Sequence, residues 1–266
     1  MSTEENSAGR ETACVLVIGG LDPSGGAGIP ADARAISAFG AHACCVATAV
    51  IAQNTQGVAR VKAVMPKMLR AQLSCLLEDI EPRAVKIGML PNAQSAQIVA
   101  QTIRRMEVPV VLDTVFAPSS GPLFSDRETV EFIAHNLLRH CALITPNIGE
   151  AETLCGFTIK DIQAMKDAAQ QIRNVYGAQG VLIKGGHLNG DEAVDVLLYG
   201  DAMSELRAPR IAGIEVRGTG CLLASAIAAQ LAQDVLITDA VRAAKTWLTE
   251  KIETAKVLGQ GRRIAV

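Results

Sequence analysis

The sequence predicts an α/β fold in which a mostly parallel central sheet is covered by helices on both faces, with an antiparallel edge. Three observations carry this. Short apolar runs of strand length alternate with stretches of helical periodicity almost to the C-terminus, the order that builds parallel strand–helix–strand units. The chain is 49% apolar but only 3% aromatic, so its core is built from Ala, Val, Ile and Leu, as in helices packed on parallel strands. Late in the chain, "EAVDVLLYG" and "AMSELRAPR" follow each other directly around Gly200-Asp201, which reads as a hairpin at the sheet edge.

Each element has its own local signal. "ACVLVIGG" is a strand leading into a helix over about 26–39, which Gly40 stops at C′, and "ACCVATAVIA" is a long strand. "PKMLRAQLSCLLEDI" opens with a proline suited to the first helical position and repeats apolar residues at helical spacing before the strand "RAVKIGML". The pattern recurs as helix 92–106, strand "VPVVLDTV", helix 127–139, strand "CALITP", a short helix from 148, helix 159–175 and strand "GVLIKGG". Helices over about 219–232 and 235–258 close the chain. No repeat, low-complexity stretch or linker interrupts it. A single domain over 13–266 is therefore expected, after a polar, acidic tail (1–12, "MSTEENSAGRET") that reads as disordered.

Composition also excludes partners. The 25 Lys and Arg balance 27 Asp and Glu, and no basic block is dense enough to track a phosphate backbone, so nucleic acid is not an expected partner. No apolar run reaches the 18 or so residues that span a bilayer. Seven cysteines without a CxxC pair fit a reducing, cytoplasmic setting.

Two glycine clusters carry the chemistry. "GLDPSGGAGIPAD" (20–32) contains a formal G-x-G-x-x-A match between a strand and a helix. A dinucleotide site there also needs an acidic residue about 20 positions on, and the chain has none between Asp32 and Glu78. No Lys-Ser or Lys-Thr follows the glycines, so a P-loop fails too. What remains is a backbone that comes close to a small ligand, with Asp22, Ser24 and Asp32 as its polar groups. The second cluster, "EVRGTGCLLASAIAAQ", places Gly218, Thr219 and Gly220 at the start of an apolar helix. Four unpaired amides and the macrodipole make that start an anion site, although an N-capping Thr219 after a flexible turn would read the same way. Cys221 lies in the first turn, where a thiol pKa is expected to fall, so it is a candidate base. Asp113, Asn147, Glu150 and Lys184 end or follow strands, where parallel sheets place function. The oxygens suit Mg²⁺ or its waters and Lys184 suits a polyphosphate. Taken together, these groups describe magnesium-assisted phosphoryl transfer.

Those segments, "DPSGGAGIPAD", "AQNTQGV", "VKIGML", "VLDTV", "LITPNIGEAE", "VLIKGGHLNGDEAVD" and above all "GTGCLLASAIAA", resemble in order the hydroxymethylpyrimidine phosphate kinases of thiamine biosynthesis, over about residues 13–258. The resemblance implies a ribokinase-like three-layer α/β/α sandwich, ATP as co-substrate, Mg²⁺, and a homodimer. It implies phosphorylation of 4-amino-5-hydroxymethyl-2-methylpyrimidine and then of its monophosphate. It assigns the pyrimidine to the Gly20–Asp32 segment, with Gly20 and Ala27, Asp32 and Gln53 on the ring and Met89 packing on it. Asn147, Lys184, Thr219 and Gly220 fall to the nucleotide, Asp113 and Glu150 to Mg²⁺ through water, and Cys221 to the base beside Gly218, Thr219, Gly220 and Lys184. Departures are Pro30, tolerable in a first turn, Phe116, which would narrow the pyrimidine pocket, and the ending "GQGRRIAV". Arg217 is a further one, read either as a phosphate contact or as an exposed residue without a role. A vitamin B6 kinase and a non-catalytic pyrimidine sensor are the competing readings. The loops around 118–126 and 186–191 are expected to move.

Overall fold

The computed structural model describes residues 12–116, 125–186, 188 and 190–265. The expected tail up to residue 11, the segment 117–124, His187 and Asn189 of the two loops, and Val266 lie outside the described residues. In chain order the elements are β1 (Cys14–Leu21), α1 (Gly28–Ala38), β2 (His42–Gln53), β3 (Val58–Ala63), α2 (Pro66–Leu77), β4 (Ala84–Ile87), α3 (Ala93–Ile103), β5 (Val110–Leu112), α4 (Arg127–Asn136), β6 (Leu143–Ile144), α5 (Ile148–Cys155), α6 (Ile162–Tyr176), β7 (Gly180–Ile183), β8 (Glu192–Tyr199), β9 (Ala202–Pro209), β10 (Val216–Arg217), α7 (Thr219–Leu231), α8 (Ile237–Glu253) and β11 (Arg263–Ile264).

The main sheet runs β3-β2-β1-β4-β5-β6-β7-β8-β9. Its middle six strands are parallel, while β3 pairs antiparallel with β2 at one edge and β8 and β9 close the other. Alternating strand residues sort the layers, as a two-residue period requires. Leu16, Ile18, Val85, Ile87 and Leu112 face α2 to α6. Val15, Val17, Ala84, Val111 and Leu182 face α1, α7 and α8. Every residue of α7 from Leu222 to Leu231 is buried, because this helix lies between the sheet and its neighbours α1 and α8; that explains why it is apolar all round. The three-layer α/β/α sandwich is the expected fold.

Two features differ from the expectation. The stretch after Gln53 makes an edge strand, β3, so antiparallel strands stand at both ends of the sheet. Its residues, VARVKA, are largely exposed and alternate too weakly to signal a strand on their own. The C-terminal stretch returns as β11 to pair with β10, and Arg262 N–H donates to the Thr55 carbonyl at 3.0 Å. Pro30 lies in the first turn of α1, where no intrahelical partner is lost.

Candidate active site

The chain leaves β1 for β2 on one side and reaches β4 on the other, so strand order reverses at β1. Beyond the carboxyl ends of β1, β4, β5 and β7 lies a cavity of about 930 Å³, the position where open α/β sheets bind ligands. Both glycine clusters form its wall because they pack on each other. Gly218 has φ +75°, and a Cβ there would stand 2.0 Å from the Gly26 carbonyl oxygen; Gly28 has φ +56° and its Cβ would meet the Gly20 carbonyl oxygen at 2.3 Å. Only glycine meets both conditions at either position.

At the first cluster Asp22 organises the loop. Its carboxylate accepts from Ser24 N–H at 2.9 Å, Ser24 Oγ at 2.7 Å, Ala27 N–H at 3.0 Å and Gln53 Nε2 at 2.5 Å. A carboxylate can only accept, so it turns the Gln53 amide nitrogen toward itself. Gln53 Oε1 is left buried, with no hydrogen-bond partner among the described residues. Met89, Ile51, Gly20 and Phe116 line the cavity beside it, Met89 and Phe116 as buried side chains.

Below this lies a charge that the sequence reading passed over. Lys86, from "VKIGML", is fully buried and donates to Asp32 Oδ1 at 2.8 Å, as does Ser225 Oγ at 2.8 Å. Asp32 is thus an internal ion-pair partner, and its Oδ2 alone stays without a hydrogen bond among the described residues. The signal was present as a lysine inside an apolar strand, since a lysine is buried only with a partner.

At the second cluster Gly218 is the N-cap of α7 and no side chain caps the helix; the N-capping Thr219 is therefore set aside. Gly220 stands against the next pair, since a Cβ there would lie 3.1 Å from Lys184 Nζ and 3.4 Å from Asp113 Oδ2. Lys184 donates to Asp113 at 2.8 Å. Burial alone would lower the Lys184 ammonium, but Asp113 and Glu150 outweigh it and hold it up. Burial likewise pushes the Asp113 carboxyl up, yet Lys184, then Lys86, bring it below the ordinary range. Asn147 and Glu150 form a capping box on α5: Asn147 Oδ1 accepts from Glu150 N–H at 2.9 Å, and Glu150 Oε2 accepts from Asn147 N–H at 2.8 Å and Thr114 Oγ at 3.0 Å. Burial pushes Glu150 up to about 7, with Lys184 opposing and Asp113 adding to the rise.

One expectation is corrected here, and one of two open alternatives falls. Cys221 is not an acidified thiol: burial pushes it up to about 12, with Asp32 and Asp113 adding to the rise and Lys86 and the Gly28 N–H opposing it. The helix start lowers a thiol only where water or cations complete its shell, and here low-dielectric surroundings win. Arg217 is not exposed. It is 9% accessible, donates to the Asn54 carbonyl at 3.0 Å and lies 3.9 Å from Asp22.

A profile of the phosphomethylpyrimidine kinase family matches residues 22–265. The chain belongs to this family. A hydroxymethylpyrimidine/phosphomethylpyrimidine kinase of Aquifex aeolicus is 42% identical over 94% of this chain and 98% of its own. Among solved structures, a phosphomethylpyrimidine kinase of Clostridium difficile superposes with a TM-score of 0.80 at 37% identity, covering 91% of this chain and 100% of that one. A pyridoxal kinase of Bacillus subtilis in complex with ADP superposes at 0.89 with 31% identity, covering 96% and 97%. The structure gathers these sequence-derived candidates around one cavity: Gly20, Asp22, Ala27, Asp32, Gln53 and Met89 at one end, Asp113, Asn147, Glu150 and Lys184 at the other, and Gly218 to Cys221 between them; Ser24 does not line it and is bonded to Asp22 within the loop.

Proposed function

We propose that this kinase transfers the γ-phosphoryl group of ATP to 4-amino-5-hydroxymethyl-2-methylpyrimidine, and then a second one to the monophosphate. The observation that carries the substrate is Gln53 Oε1, a buried acceptor left free by the Asp22 bond. A ring amine donates to it; the ionised 3-oxygen of a B6 pyridine offers no proton and would be repelled. Leaving such an acceptor unmet costs about 1–3 kcal/mol, enough to rank the two rings. Met89 and Phe116 supply apolar surface for the ring.

With the ring at Gln53, its hydroxymethyl group is directed along the cavity toward Cys221 and the unpaired amides of α7. Those amides stabilise charge on the transferred group as the oxygen–phosphorus bond forms and the bond to the ADP oxygen breaks. Lys184 neutralises phosphate oxygens, and Gly220 keeps the helix start within reach of it. Among the described residues no group of three or more His, Cys, Asp or Glu is placed to hold a metal ion; with two carboxylates, phosphate oxygens and water would complete the shell of a Mg²⁺. Glu150, raised to about 7, is a carboxylate short of positive charge, which fits a cation shared with phosphates. Asp113 and Glu150 would hold Mg²⁺, which when bound neutralises phosphate charge. Cys221 takes the hydroxyl proton in its minor thiolate form, late in a loose transfer that asks little of a base. The monophosphate is already ionised and needs it less. All seven cysteines are free, which supports a reducing, cytoplasmic setting.

The test is ADP release from Mg-ATP with the hydroxymethylpyrimidine, its monophosphate and pyridoxal. Turnover of both pyrimidines well above pyridoxal is expected. Turnover of pyridoxal alone would replace this reading with vitamin B6 salvage, and binding of the pyrimidine without turnover would leave a sensor.

A further inference from the structure

At the nucleotide end of the cavity lies a second buried ion pair that the reaction described above does not use. Lys245, on α8, donates to Asp195 Oδ2 at 2.7 Å and to the Ala193 carbonyl at 3.0 Å. Asp195, on β8, accepts the Gly185 N–H on its other oxygen at 2.9 Å. Both side chains are buried and both line the cavity. Gly185 follows Lys184 directly, and the backbone there has no room to spare: a Cβ on Gly185 would lie 1.9 Å from the Val194 carbonyl oxygen. On its other side Lys184 N–H donates to the Pro146 carbonyl at 2.8 Å, and its ammonium reaches Asp113.

The backbone of Lys184 is thus pinned from both neighbouring strands, and Asp195 is the pin on the β8 side. We propose that Asp195, held by Lys245, is a positioning residue that fixes the Gly185 amide and through it aims the Lys184 ammonium at the transferring phosphates. A pair kept only for stability has no need of this arrangement, because buried ion pairs are often replaced by apolar residues without loss. What an apolar pair cannot supply is the acceptor for Gly185 N–H. The inference rests on the reading that Lys184 contacts the nucleotide phosphates.

The experiment compares two variants that both remove the buried charges. D195N/K245M keeps an oxygen for Gly185 N–H and turns its amide nitrogen toward the Ala193 carbonyl. D195L/K245M has the same branching, a larger volume and no acceptor, and D195A/K245M, smaller and likewise without an acceptor, controls for that bulk. Thermal melts confirm folding, and kcat and the KM for ATP are measured with the hydroxymethylpyrimidine. Since misplacing a reacting group by about 1 Å can cost on the order of 100-fold, the leucine variant should lose about 10- to 100-fold in kcat with a smaller change in KM, and the asparagine variant should stay near wild type. In a Lys184→Met background the two variants should turn over equally, because the group being aimed is gone. Equal kcat in the first comparison, or a difference that persists without Lys184, would overturn the proposal. Wild-type turnover of Lys184→Met by itself would instead remove the reading of Lys184 on which it rests.

Discussion

Replacing Glu150 by Gln should stabilise the protein in alkaline solution while impairing it as a kinase. Burial first, and Asp113 second, raise the Glu150 carboxyl from the ordinary 4.5 to about 7. The folded state therefore holds this proton more tightly than the unfolded chain does. Stability from the protonated form is complete below about pH 4.5 and is lost as the pH rises through about 7. About 2.5 pH units at about 1.4 kcal/mol each amount to about 3 kcal/mol lost by pH 8. The neutral glutamine of the variant carries no such cost and can still accept from Asn147 N–H and Thr114 Oγ through its amide oxygen. Those two bonds weaken when the acceptor is neutral, together by about 1–2 kcal/mol. The net expectation is about 1–2 kcal/mol of added stability at pH 8 and none, or a small loss, at pH 5. Urea unfolding of both proteins across pH 5 to 8 reads this directly, the wild type falling and Glu150→Gln staying flat. Parallel pH curves, or a variant less stable at pH 8, would refute the reasoning. The stabilised variant should turn over more slowly with Mg-ATP, as expected where a site keeps an unfavourable charge for its function.

Three further outcomes follow from the same geometry. Because Cys221 is held up at about 12, the alcohol step should rise with pH through 6–9 without a plateau while the monophosphate step rises less; Cys221→Ala should abolish the rise and slow the first step more than the second, as read by single-turnover phosphorylation of each substrate. Lys86→Met leaves Asp32 buried and unpaired, at a cost of about 3–5 kcal/mol, and Asp32→Asn/Lys86→Met should recover most of it; denaturant midpoints check both, and full stability of the single variant would show that the pair is dispensable. Gly218→Ala must place a methyl group 2.0 Å from the Gly26 carbonyl at φ +75°, so it should lose several kcal/mol (on the order of 2–4) and nearly all activity, measured by melting temperature and ADP release.

The strand–helix alternation made the parallel sheet, its helical layers and the β8–β9 hairpin legible, because apolar period is a local property of the chain. The glycine clusters were legible for the same reason: a stretch in which side chains would collide with neighbouring backbone has few other sequences open to it. Edge strand β3 was not, since its residues are half exposed and alternate weakly, and its identity depends on β2 lying alongside. Nor was the C-terminal return, where β11 exists only because β10 lies beside it.

At the site, residue types pointed to groups that line one cavity, while their electrostatics depended on neighbours far away in sequence. Asp32 is 54 positions from Lys86, and no local pattern tells whether a lysine in a strand meets a carboxylate or water. Cys221 departs from expectation for this reason. A helix start is written in the sequence, but burial beside Asp32 and Asp113 is set by three other elements, and in a low-dielectric interior their effect exceeds that of the helix. The sequence by itself determined which groups this protein has and on which elements they sit. The tertiary structure decided which of them carry charge, because the free energy of an ion depends on everything packed around it.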